Sequence, residues 1–506
     1  MSSHTPKTSS ERHLYQYQSG RFKVSLFYPN SYQTAMASLG FQTVYHCFNS
    51  QPEFSAERIY WDNSGRPSAS VSGEILALSI SYELDILNFI KALIKWGIEP
   101  FADKRSGPLI VTGGILTLIN PLPLAPFVDL FLIGDGEHLI PRFRRTYQRY
   151  YLEGKAKLLE ELSKIEGCWA PALGKPQNIT PVSYPRSSPL HSAVITPDSH
   201  FGDMFLIEAG RGCPRKCRFC ASCHIHRYEY HPPADLIETV KRHINPPALV
   251  GLIGSALSDY PYLKELIGYL AGNGYKISTS SLRVDAVDDT ILKYLVNSGM
   301  RTLTIAPEAG SLRLRRIIGK GMSDALIKRA VKKAREAGFN RLKLYFMIGL
   351  PGETDSDIDA LIKLVEDMSE IYNSGGLELS LNAFIPKPHT PFQWAPFRGE
   401  PYLKKVRKRI KQALPKIKFI PRSSGQEKLQ ALLSLGDERI GTALYENITK
   451  GISIPAVLKD LGVNIEETLG LKGAEYQLPW RGFQSIFDTD FLYKQWRKAQ
   501  ILAELT

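Results

Sequence analysis

Twice along the chain, short apolar runs ending in glycine or a polar turn give way to stretches with helical spacing. The first series holds "FKVSLFYP" (22–29), "EILALSIS" (74–81), "PLIVTGG" (108–114) and "VDLFLIGDGE" (128–137), with helical stretches over 32–47 and 84–97. Strands that are apolar throughout and alternate with helices predict a parallel sheet covered on both faces. This is an α/β, doubly wound domain over 20–150, and its ligand crevice is expected at the carboxyl ends of the strands. Prolines 171, 176, 181, 185, 189 and 197 predict an irregular linker over 151–200. The alternation restarts over 201–395 with six runs: 203–209, 248–254, 275–282, 301–307, 341–349 and 377–385. Six βα units predict a partial (βα)6 barrel with its chemistry at the C-terminal strand ends. The region 396–506 reads as basic and mainly helical. About three domains suit 506 residues.

The remaining composition narrows the setting. Of six cysteines, only Cys47 and Cys168 lie outside one cluster, which is no disulfide framework and suits a reducing compartment. The polar N-terminus lacks an apolar signal core. The most apolar long stretch, 113–134, is broken by Asn120, Asp129 and prolines, too interrupted for a spanning helix. A cytoplasmic protein without a transmembrane segment is expected. The chain carries 63 basic and 50 acidic residues. Part of the surplus sits in "PYLKKVRKRIKQALPKIKF" (401–419), which offers a surface for nucleic acid or another anionic partner, or is simply a solvated helix face.

Directly after the first run of the second series comes "EAGRGCPRKCRFCASCHIH" (208–226). Cys213, Cys217, Cys220 and Cys223 stand on one short loop, with His224 and His226 next to them. Closely spaced thiolates favour iron–sulfur or zinc. Four thiolates would make an electron-transfer cluster, although the C-x2-C-x2-C-x3-C-P order is missing. A closed zinc site could recruit His226, although zinc sites usually join two separate hooks. Three thiolates would leave a metal corner open for chemistry.

The pattern C-x3-C-x-F-C after a first barrel strand, here Cys213, Cys217, Phe219 and Cys220, resembles the radical S-adenosylmethionine (SAM) superfamily. The resemblance implies that these three cysteines hold a 4Fe-4S cluster whose fourth iron binds SAM. The enzyme would cleave SAM reductively to a 5′-deoxyadenosyl radical. By the same resemblance Phe219 sits by the adenine, and "GSALSDY" (254–260) meets the SAM amino group through Ser255 or its neighbours. Ser281 and Arg283 reach the carboxylate, unless Arg283 is spent on Asp285. Glu308 of "APEAGS" accepts ribose hydroxyls, and Ile348 and Gly349 of "MIGLPGET" bind adenine. Cys223 is spare.

A doubly wound domain before such a barrel is similar to the cobalamin-binding branch of that superfamily, a poorly characterised group. "SISYELD" (79–85), "VTGG" (111–114) and "IGDGEHLI" (133–140) carry this part of the resemblance, with Ser79, Gly113 and Gly114 near the cobalamin nucleotide tail. The D-x-H-x-x-G motif is absent, so any cobalamin would bind without a lower histidine ligand. The resemblance implies a radical SAM enzyme, with cobalamin-dependent methyl transfer to an unidentified substrate where cobalamin is present. A flavodoxin or ferredoxin would supply electrons. The alternatives are an RNA-modifying radical SAM enzyme, from the basic tail, and a non-catalytic iron–sulfur electron carrier.

Overall fold

The computed structural model describes residues 10–504 except 63, 186, 287, 373 and 421–424. The chain folds into two compact units. One comprises the chain up to Met204 with Leu432–Thr468 and Glu475–Ser485. The other comprises Phe205–Ala431, Leu469–Ala474 and the chain from Ile486.

In the first unit, strands β1 (Phe22–Tyr28), β2 (Phe54–Tyr60), β3 (Ile75–Ser79), β4 (Leu109–Gly113) and β5 (Leu130–Leu132) pair in parallel. The short β6 (Cys168–Trp169) joins β5 antiparallel, giving the order β2-β1-β3-β4-β5-β6. Strands β3 and β5 are buried at every position, as a sheet covered on both faces requires. The strand order reverses between β1 and β3, where the ligand crevice of a doubly wound sheet opens.

Three local expectations change. The helical stretch over 32–47 is two helices, Tyr32–Met36 and Leu39–Asn49, because the Ser38 hydroxyl accepts from the Phe41 amide and starts a new helix. β2 escapes an apolar-run search because it is an edge strand carrying Glu57 and Arg58; Arg58 is paired with Glu11 at 2.6 Å. The stretch over 151–200 is not irregular throughout. Leu158, Leu159 and Leu162 bury one face of a helix, Lys155–Ser163, before β6 joins the sheet; the proline-rich part starts only at Pro171.

In the second unit, β7 (Phe205–Arg211), β9 (Leu249–Gly254) and β10 (Lys276–Thr279) are parallel, with β8 (Glu229–Tyr230) antiparallel at the edge of β7. β11 (Thr302–Glu308), β12 (Arg341–Ile348), β13 (Leu377–Ala383) and the short β14 (Lys418–Phe419) form a second parallel sheet. The six expected strands are therefore β7, β9, β10, β11, β12 and β13, divided between two four-stranded sheets. β12 shows why this is a barrel wall. Leu342, Leu344, Phe346 and Ile348 are buried, while Lys343, Tyr345 and Met347 alternate with them on a less buried face. A period of two with one packed face separates a barrel strand from the doubly covered strands of the first unit.

No helix among the described residues is long and apolar enough to cross a membrane.

Candidate active site

The cysteine loop leaves β7 and is closed by β8, which pairs Glu229 with Arg211 and Tyr230 with Gly210. The closure is tight enough to dictate two glycines. A Cβ on Gly210 would meet the Glu229 carbonyl oxygen at 2.6 Å. One on Gly212 would meet the Arg227 carbonyl oxygen at 2.2 Å, and Gly212 also has φ +72°. The "AGRG" before Cys213 is thus a requirement of the closed loop.

The loop is also pinned from below. The Arg218 amide donates to the Ile318 carbonyl at 2.9 Å, and its Nη1 donates to the carbonyls of Arg316 (3.0 Å) and Ile317 (2.7 Å). The Phe392 amide donates to the Arg218 carbonyl at 3.1 Å. The helix after β11, Leu312–Ile317, and the turn Pro391–Trp394 therefore hold the loop between them.

The four cysteines are not equivalent. Cys213 and Cys220 are half-buried, and Cys217 and Cys223 are buried. The Cys223 sulfur lies 3.1 Å from the Cys220 carbonyl oxygen and 3.4 Å from that of Cys217. His224, 1% exposed, places Nδ1 2.8 Å from the Cys220 carbonyl. Burial lowers its pKa, so it is a neutral donor buttressing the loop from inside. The Cys220 pKa is lowered, chiefly through its coupling to Cys223, and Cys223 itself is pushed up by Cys220 and by burial. Burial pushes Cys217 up to about 11, against the nearby charge of Lys320.

The later strand ends gather around this loop. After β9, Ser255 is exposed, but Asp259 pairs with Arg215 of the cysteine loop at 2.5 Å. After β10, Ser281 is exposed and the Arg283 amide donates to the Ser258 hydroxyl at 2.8 Å. The Arg283 side chain is held by Asp285 through two bonds of 3.0 Å. At the end of β11, Glu308 adopts φ +69° and pairs with Lys320 at 3.0 Å. Lys320 also donates to the Ala306 carbonyl at 2.8 Å, leaving its third N–H without a partner among the described residues. Burial raises the Glu308 pKa, and Lys320 opposes this. After β12, the Ile348 carbonyl accepts from the Phe384 amide at 2.9 Å. The Gly349 amide donates to Glu353 at 2.7 Å, and Tyr402 donates to the same oxygen. Phe219 is half-buried on the loop itself.

Lys320 is not legible in the sequence as a site residue. Its signal is only the "GKG" that ends a helix; its proximity to Glu308 and Cys217 is tertiary. Asp259 is legible in the sequence as one of three polar candidates, with Ser255 and Ser258, in "GSALSDY". Asp259 Oδ2 and Thr279 Oγ1, at two strand ends, are buried with no hydrogen-bond partner among the described residues. Orphaned buried polar atoms at strand ends fit a polar ligand that would complete them. In the first unit, Gly113 and Gly114 are partly open at the end of β4, and Ser79 is 6% exposed. A Cβ on Gly113 would come no closer than 3.4 Å to another atom, whereas one on Gly114 would meet the Ile80 carbonyl oxygen at 2.4 Å. Gly113 leaves room for a ligand to approach, and Gly114 is needed by the domain's own packing.

Part of the basic stretch over 401–419 is engaged in internal pairs. Arg407 pairs with Glu427, Arg409 with Asp359 (2.5 Å) and Asp355 (3.1 Å), and Lys418 with Glu378 (2.6 Å). Lys404, Lys405, Lys408, Lys411, Lys416 and Lys418 are exposed.

Residues 207–365 match the radical SAM superfamily domain, and residues 40–171 match the N-terminal domain of radical SAM proteins. An uncharacterised protein of Methanocaldococcus jannaschii is 31% identical over 448 residues, 86% of this chain and 94% of that one. The chain belongs to the radical SAM superfamily. This radical SAM protein is also 27% identical over 173 residues to an uncharacterised methyltransferase of Pyrococcus horikoshii, covering 33% of this chain and 38% of that one. Its fold is that of OxsB, a cobalamin-dependent SAM radical enzyme solved with aqua-cobalamin bound. The TM-score is 0.50 at 12% identity, over 96% of this chain and 80% of that one. A doubly wound unit followed by a partial barrel is thus shared architecture, and this is a radical SAM enzyme.

Proposed function

We propose that this enzyme reductively cleaves SAM at a 4Fe-4S cluster held by Cys213, Cys217 and Cys220, and uses the resulting radical to activate a substrate carbon. The observation that carries the reading is the inequality of the cysteines: Cys223 is buried against main-chain carbonyls, which leaves three thiols on a pinned loop. Bound there, the cluster would supply one electron to the SAM sulfonium, releasing a 5′-deoxyadenosyl radical.

The chain's own residues hold and orient. Lys320 holds the Glu308 carboxyl in place and opposes the effect of its burial, so that its oxygens can accept ribose hydroxyls. Asp259 and Thr279 offer unsatisfied atoms to the polar end of SAM, beside the Arg283 main chain. Arg283 is held by Asp285 through Nε and Nη2, which leaves its Nη1 hydrogens to meet a carboxylate. The Ile348–Gly349 turn is braced by Phe384 and Glu353, and the second lone pair of the Ile348 carbonyl remains for adenine.

Methyl transfer is the outcome we favour, with cobalamin at the strand ends of the first unit near Gly113. The fold of OxsB and the relative named as a methyltransferase support it. The test is anaerobic reconstitution with dithionite and SAM, following 5′-deoxyadenosine. A fully loaded cluster that yields none, across a panel of candidate substrates, sinks the cleavage reading. Protein from cobalamin-replete cells should show a corrinoid absorbance spectrum; its absence sinks only the cobalamin part.

A further inference from the structure

The inner wall of the barrel carries polar groups that the fold does not use. On β12, Leu342, Leu344, Phe346 and Ile348 are fully buried on the covered face, so Lys343, Tyr345 and Met347 face the lumen. Parallel register puts Lys343 between Thr304 of β11 and Glu378 of β13, and Tyr345 beside Ser380. The Lys343 Nζ lies 5.0 Å from the centroid of the Tyr345 ring, the next inward residue toward the C-terminal strand end. The ammonium therefore leans toward the mouth of the barrel, where the cysteine loop stands.

Charges on this wall are matched, with one exception. Glu308 pairs with Lys320 at 3.0 Å, and Glu208 of β7 with Arg211 at 3.0 Å. Glu378, the carboxylate nearest to Lys343 in register, is held by Lys418 at 2.6 Å and faces Arg341 at 4.0 Å. Among the described residues Lys343 has no ion-pair or hydrogen-bond partner, and the Tyr345 hydroxyl has none either. Water solvates a lone ammonium while the barrel is open. Once an occupant expels that water, an unpaired ammonium is costly. The occupant then has to bring the counter-charge.

We propose that the substrate carries an acid group, a carboxylate or a phosphate, which Lys343 holds inside the barrel with the Tyr345 hydroxyl as second donor. This rests on the reading that the radical forms at the cysteine loop, and it names the class of substrate that the radical meets. β12 rises about 13 Å from Lys343 to Met347, and the lysine stem spans only part of that. Several bonds therefore separate the acid group from the reacting carbon. The order of the six strands sets β9 across the barrel from β12. Val250 and Leu252 are fully buried on its outer face, so Gly251 and Ile253 turn inward and offer an apolar surface to the intervening stem. The substrate is thus an acid with an apolar stem. Lys343 anchors its far end; no proton or electron passes through it.

The test is isothermal titration of the reconstituted full chain, with and without SAM, by octanoate, octyl phosphate and octanamide. At least one acid should bind tenfold or more tighter than the amide, and the tighter acid identifies the group. Lys343→Gln should erase that preference, Lys343→Arg should keep part of it, and Tyr345→Phe should weaken the acid severalfold. Iron content should not change. A second measurement needs no variant. In the wild type, the preferred acid should protect Lys343, and not Lys418, from acetylation by sulfo-N-hydroxysuccinimide acetate, read by peptide mass spectrometry. Equal affinity for acid and amide, or no measurable binding of either acid, would overturn the proposal. So would an acid preference that survives in Lys343→Gln, or protection confined to other lysines. Titration does not depend on SAM cleavage, so failure of the underlying reading shows separately, as a loaded cluster that yields no 5′-deoxyadenosine.

Discussion

Cys223 and Cys217 are both buried thiols six positions apart, yet their surroundings assign them opposite roles. The Cys223 sulfur is turned toward the carbonyls of Cys217 and Cys220, so Cys223→Ala should keep the full iron content of the wild type. Cys217→Ala should lose cluster and SAM cleavage together; iron analysis with an absorbance spectrum checks both. Asp85 makes a second residue-scale prediction. It is 4% exposed, and burial raises its carboxyl pKa to about 7 against the hydrogen bond from Asn30 at 2.9 Å. The folded state therefore holds a proton that the unfolded chain gives up near pH 4. Stability is full below that pH and declines as pH rises toward 7, by up to about 4 kcal/mol. Denaturant midpoints should fall from pH 5 to pH 8 in the wild type, and Asp85→Asn should flatten the profile. The cysteine pattern was legible because ligand spacing is a local property. The protonation of Asp85 was not, because it depends on how deeply the fold buries a carboxyl that looks ordinary in the sequence.

At the scale of elements, the cysteine loop depends on the hairpin-like closure of β7 by β8. Gly212→Ala would place a Cβ within 2.2 Å of the Arg227 carbonyl oxygen at φ +72°. We expect a cost of about 1–3 kcal/mol for the strained backbone, with more from the clash. Reduced iron incorporation and earlier loop cleavage by protease would both report it. The β8 closure was invisible in sequence: "EY" is a two-residue strand, defined only by its partners Arg211 and Gly210. The long parallel strands were visible because their hydrophobic runs are the same residues that the sheet buries. β2 and the helix Lys155–Ser163 were missed for the complementary reason. An edge strand carries polar residues, and a short helix with three leucines resembles a loop when prolines follow it.

At the scale of the whole molecule, the segment Leu432–Thr468 belongs to the same compact unit as the first doubly wound sheet. Asn120, fully buried, donates to the carbonyls of Ser434 (3.1 Å) and Gly436 (2.8 Å). The helix Glu438–Lys450 approaches so closely that a Cβ on Gly441 would sit 2.0 Å from the Pro123 carbonyl oxygen. Ending the chain after residue 431 should therefore make the first unit sensitive to limited proteolysis, although its sheet lies roughly 300 residues away in sequence. Asn120→Ala, which leaves buried carbonyls unpaired, should cost about 1–3 kcal/mol, measured as a shift in the denaturant midpoint. The sequence by itself determined the two βα series, the three-plus-one cysteine spacing and the superfamily, because periodicity and ligand spacing are written between near neighbours. Only the tertiary structure decided which cysteine turns inward, that Arg283 is held by Asp285 and Glu308 by Lys320, and where the tail packs. Those outcomes depend on burial and on partners brought together from distant positions, which local spacing does not encode.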